Sequence, residues 1–179
     1  MNTTKVNTRK MAANAILIAI GAILHQIVPP LPFIGIECDF SLAMLFIIIV
    51  FNKEYKTALA CGIIIGVFAG LTSKMPGGLV ANIIDKFITC NVMYLILIPL
   101  RNSINRIKQI GLLLPIGTLV SGATFIIALM KTAGLPEGLS FKIMFISAVI
   151  PTMVLNTIIG LVIFKIVEKI TSVNGTYAI

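Results

Sequence analysis

Charge is the scarcest commodity in this chain. Only 11% of its 179 residues are Asp, Glu, Lys or Arg, and just 6 of them are acidic, against a hydrophobic content of 58%. With a mean hydropathy of +1.08, a soluble domain of this size is excluded, because so few polar groups cannot cover so much apolar surface. Histidine occurs once, as His25, and the 3 cysteines (Cys38, Cys61, Cys90) are odd in number and far apart. With no CxxC and no Cys/His cluster, neither a disulfide framework nor a metal site is expected, and small apolar packing is the expected cysteine role. The phosphate-loop pattern GxxxxGK[ST] is missing, as are His-Glu-x-x-His and Gly-x-Ser-x-Gly. The chain is therefore expected to be no enzyme, to need no cofactor and to use no ATP of its own. No removable signal peptide stands out at the N-terminus.

What is present is a set of apolar runs punctuated by turn signals. They predict an all-α membrane protein, one transmembrane domain over residues 1–179, with six helices. The first, Met11–Val28, is closed by Pro29, Pro30 and Pro32, which cannot continue a helix. Asp39–Phe51 follows and is short for a full span; Asp39 stands at its start, where capping and ligand binding both explain a carboxylate. Thr57–Thr72, Leu79–Leu100, Ile110–Met130 and Phe141–Glu168 complete the set. The net charge of +8 is spread over short loops, which suits the inner face of a bilayer and not nucleic acid. With the N-terminus inside, ten of the 14 basic residues are cytoplasmic, three lie outside and Lys86 lies within the membrane. That bias predicts a plasma-membrane protein with both termini cytoplasmic.

The fourth helix carries the exception to its own oiliness. Asn82, Asp85, Lys86, Thr89 and Met93 recur at i, i+3, i+4, i+7 and i+11, a polar stripe on one side. Ionisable groups in a span cost roughly 2.5–3.5 kcal/mol each on insertion scales, so they normally face a bundle interior or a polar cavity. Asp85 and Lys86 enter from the outer end, about 10 Å below the helix start at 1.5 Å per residue. Adjacent side chains point about 100° apart, so each is expected to have a separate partner. A substrate site and a structural or topogenic role both account for them. His25, at the outer end of helix one, fits either a pocket or a structural hydrogen bond. Two small-residue stripes, Ala12/Ala15/Ala19/Ala22 and Gly62-xxx-Gly66-xxx-Gly70, predict close helix approach.

Taken together, these residues resemble a family. The six-helix layout and the alanine stripe are similar to the substrate-binding S component of energy-coupling factor (ECF) transporters, and more narrowly to the bacterial tryptophan transporter family TrpP. The matching segments are Leu24-His25 with Ile27-Val28-Pro29-Pro30, Asp39, Asn82-Ile83-Ile84-Asp85-Lys86, Gly117-Thr118-Leu119-Val120-Ser121-Gly122, Gly134-Leu135-Pro136 and Val154-Leu155-Asn156-Thr157. The resemblance implies a binding subunit that works with a transmembrane coupling subunit and a pair of cytoplasmic ATPases. It implies that Ala15-xxx-Ala19 contacts the coupling subunit, and that substrate is captured beneath the outer loops.

A tryptophan ligand suits the residues. Lys86 is expected to bind its carboxylate, and Asp85, Asp39 or Glu37 its ammonium. Phe33, Phe40, Phe87, Phe141 and Phe145 are candidates to hold the indole, each with ordinary packing as the alternative. Asn82 and Asn156 are candidates for the remaining hydrogen bonds, with interhelical bonding as theirs. A vitamin such as thiamin or riboflavin in the same fold, or a solitary amino-acid transporter, are the competing readings.

Overall fold

A computed structural model describes residues 8–28 and 39–174, and within them every long element is helical. The helices are α1 (Thr8–Ile27), α2 (Phe40–Phe51), α3 (Tyr55–Thr72), α4 (Gly78–Leu100) and α5 (Arg106–Thr132). The last, α6, is one helical path through Phe141–Met144, a π-helical turn at Phe145–Val149, and Ile150–Asn174. Among the described residues this is the six-helix layout that the sequence predicts. Several ends run further than the hydropathy does: α3 starts at Tyr55 and α5 at Arg106. Polar groups there still serve the helix. Thr57 Oγ1 donates to Glu54 beside the α3 N-cap at 2.7 Å, and Arg106 lays its guanidinium over the Phe51 ring while its charge remains at the bundle end.

The short second helix is the hub. Every residue from Phe40 to Phe51 is buried, and α2 packs on α1, α3, α4, α5 and α6. Its 12 residues carry no polar side chain except Ser41, and an all-round apolar helix is stable only when enclosed on every side. Twelve residues rise about 18 Å, too little for a lipid-facing span, so enclosure explains the shortness. Its C-terminal end is closed by other helices. Asn14 and Asn52 exchange side-chain amide bonds, and Arg101 Nη2 donates to the carbonyls of Ile49 and Asn52, each at 2.9 Å. The five longer helices each have the length and hydropathy to cross a membrane. Their exposed residues, such as Ile16, Ile20 and Ile23 on α1 or Val162, Ile166 and Ile170 on α6, form an apolar outer surface. The chain is a multi-pass membrane protein.

Two local features set the site. The α3 glycines bring α4 close: a Cβ on Gly66 would stand 3.0 Å from the Lys86 Cβ, and one on Gly70 2.8 Å from the Leu79 carbonyl oxygen. Close approach of this kind is what small residues supply in lipid, where packing and not hydrophobicity drives association. On α6, the ring of Pro151 would collide with the backbone one turn earlier, and the π-helical turn that precedes it widens the helix there. Val149 leaves that turn packed on Gly122 of α5, where a Cβ would lie 2.5 Å from the valine methyls.

Candidate functional site

Three helices converge where α1 ends and where α2 and α4 begin. Asp39 caps α2: its Oδ1 accepts from the Leu42 N–H at 3.3 Å and from the Ser41 hydroxyl. Its Oδ2 meets Lys86 Nζ, which reaches across from α4. The same Nζ lies 2.5 Å from Asp85 Oδ2. Here the structure corrects the expectation that Asp85 and Lys86 find separate partners. The backbone does aim them apart, but four methylenes let the ammonium curl back to its neighbour while also reaching Asp39. Asp85 accepts two further bonds, from Thr89 Oγ1 at 2.8 Å and from Ser121 Oγ of α5 at 2.7 Å. Both Asp85 and Lys86 are 1% exposed. Two carboxylates thus share one ammonium inside the bundle.

The triad borders a cavity of about 70 Å³. Its polar rim includes His25, Asn82, Ser121 and Asn156, and its apolar part includes Leu42, Met75, Phe125, Ile126 and Val149. His25 Nδ1 sits 2.7 Å from Thr72 Oγ1, whose own hydroxyl donates to the Phe68 carbonyl. Asn82 turns its amide back to the Gly78 carbonyl at 2.8 Å. Asn156 is fully buried; its Nδ2 donates to the Asp39 main-chain carbonyl at 3.2 Å and to Thr118 Oγ1 at 3.3 Å. A main-chain carbonyl only accepts, which fixes the amide orientation. The Asn156 Oδ1 that remains has no hydrogen-bond partner among the described residues.

Of the residues singled out by sequence, His25, Asp39, Asn82, Asp85, Lys86 and Asn156 meet around this cavity. Phe141 stacks on Phe145 at 5.6 Å between centroids, and neither lines the cavity. Phe40 is buried at the start of α2, while Phe87 is 47% exposed on the outer surface of the bundle. Glu37 and Phe33 lie outside the described residues. Among the described residues the phenylalanine that lines the cavity is Phe125, which sequence reasoning passed over together with Thr118 and Ser121 as site residues. A signal for them existed: Thr118, Ser121, Gly122 and Phe125 recur at i, i+3, i+4 and i+7 on α5, and all four line the cavity. Among the described residues no group of His, Cys, Asp and Glu could hold a metal ion. Ala15 and Ala19 stand on the exposed side of α1 and do not line the cavity.

A buried ion triad beside a cavity, enclosed by helices whose outer surfaces are apolar, defines a membrane protein with an intramembrane polar site; such groups mark substrate or ion pathways in transport proteins. The comparison with known families makes this particular. Residues 7–172 match the family profile described as tryptophan transporter TrpP, and the chain belongs to that family. It is 39% identical over 165 residues to a probable tryptophan transport protein of Clostridium acetobutylicum, covering 92% of this chain and 95% of that one. Proteins of the same description from Clostridium perfringens and Bacillus subtilis are 41% and 34% identical, covering 91% and 92% of this chain and 93% and 94% of theirs. The family is one of transporters, in agreement with a chain that is not an enzyme. No solved structure matches it.

Proposed function

We propose that this chain is the tryptophan-binding subunit of an ECF-type uptake system, receiving substrate at the outer side and delivering it inward with a transmembrane coupling subunit and cytoplasmic ATPases. One observation carries the reading: the Asp39–Lys86–Asp85 triad borders a cavity at the helix ends that the positive-inside count assigns to the outside. Membership of the tryptophan transporter family supports the substrate. A cavity of about 70 Å³ is smaller than the roughly 150 Å³ that accommodates benzene in an engineered core. Binding of an indole therefore widens the site, with the apolar side chains Phe125, Ile126 and Val149 receiving the ring. The outward stripe of Ala15 and Ala19, flanked by exposed Ile16 and Ile20, supports docking of a coupling subunit on α1.

Two measurements test this. Purified protein binds tryptophan saturably in a panel that also holds thiamin and riboflavin; preference for a vitamin overturns the substrate. Uptake in vesicles requires the coupling subunit and ATP; uptake by the chain alone replaces the ECF role with that of a solitary transporter.

A further inference from the structure

We infer that the site recognises its substrate through the ammonium group and not through the carboxylate, with Asn156 Oδ1 and the paired carboxylates as the receiving atoms. This deepens the binding reading above and reverses the role that the sequence suggests for Lys86. Lys86 has no spare charge to offer: its single positive charge is held by Asp85 and Asp39 together. Two carboxylates face one ammonium, so the cavity wall offers more acceptor oxygens than Lys86 can fill, with His25 the other basic side chain on the rim; a further cation with N–H donors suits such a wall.

The hydrogen-bond inventory points the same way. An ionised carboxylate has about four acceptor positions. Asp85 fills three, from Thr89, Lys86 and Ser121. Asp39 also fills three, from Leu42 N–H, Ser41 and Lys86. Asn156 Oδ1 adds a buried acceptor that nothing among the described residues fills, and its orientation is fixed because Nδ2 is tied to the Asp39 carbonyl. A buried acceptor without a donor carries the desolvation cost of its group, so this oxygen is poised for a donor. An alkylammonium brings three N–H donors and one positive charge. It meets both deficits at once, whereas a carboxylate would add a further negative charge and no donor.

The same Asn156 amide joins α6 to the start of α2, so an ammonium received there lies between those two helices and Asp85 of α4. Direct binding to the wild-type protein, measured by calorimetry, compares tryptophan, tryptamine (ammonium and indole without the carboxylate) and indole-3-propionate (carboxylate without the ammonium). Each charge-assisted hydrogen bond contributes roughly 1.5–3 kcal/mol, or about 10- to 100-fold in affinity. Tryptamine is expected to bind within about tenfold of tryptophan, and indole-3-propionate about 100-fold or more weaker. Indole-3-propionate binding as well as tryptamine, or tryptamine failing where tryptophan binds, overturns the inference and leaves the tryptophan reading standing. Tryptamine binding without tryptophan keeps the ammonium site and removes the tryptophan reading. If none of the three binds, both fall.

Discussion

Replacing Lys86 by Met removes the one cation of the triad while keeping a flexible apolar stem of similar length. What remains is two carboxylates, one of them on a residue only 1% exposed, facing each other without compensation. The Asp85 contact alone, at 2.5 Å, corresponds to about 7 kcal/mol of Coulomb attraction at an effective dielectric near 20. Much of that offsets the several kcal/mol needed to strip water from each ion, which is why measured losses on breaking a buried pair run nearer 3–5 kcal/mol. At roughly 2–4 °C per kcal/mol for a chain of this size, the thermal midpoint in detergent should fall by about 10 °C. The informative step is the second substitution. Lys86→Met with Asp85→Asn restores the wild-type net charge of the triad, and should recover part of the loss, with a coupling of roughly 0.5–3 kcal/mol. A Lys86→Met protein as stable as wild type, or a double variant less stable than the single one, would refute the claim that mutual pairing holds the triad.

Asp39→Asn retains an oxygen able to cap α2 but removes the charge; tryptophan binding should weaken about 10- to 100-fold in calorimetry while helicity by circular dichroism is unchanged. Gly70→Ala places a Cβ 2.8 Å from the Leu79 carbonyl and 2.9 Å from its Cα, backbone atoms that cannot swing away. The α3–α4 seam must part, and thermal stability should drop by roughly 1–3 kcal/mol or more, whereas Gly111→Ala, with nothing within 4 Å, should not lower it. Ala15→Trp or Ala19→Trp, on the exposed side of α1, should abolish coupled uptake yet leave tryptophan affinity within about twofold, since neither touches the cavity. Equal uptake by these variants would remove α1 from the docking surface.

The helices were legible in the sequence because lipid imposes one rule, that backbone polar groups bond within the segment, and a long apolar run between turn residues is its direct trace. The polar stripe of α4 was legible for a related reason: the periodicity of Asn82, Asp85, Lys86 and Thr89 is a property of one helix, and all four side chains are buried as that spacing requires. The glycine series of α3 likewise announced a close approach, though not that Lys86 itself would lie against Gly66.

Pairing was not legible. Local geometry separates Asp85 from Lys86, and only the arrival of Asp39, at the start of a helix packed alongside, gives the lysine a reason to fold back between two carboxylates. The face of α5 that carries Thr118, Ser121, Gly122 and Phe125 was readable as a periodicity, but that this face meets the cavity, and that Ser121 reaches Asp85, was not. The sequence by itself determined that this chain crosses a membrane as helices and that one of them hides charge. Which atoms meet that charge, and that Asn156 keeps an acceptor unfilled among the described residues, was decided by the meeting of α2, α4, α5 and α6, because electrostatic partnership depends on distances between segments that the order of residues does not contain.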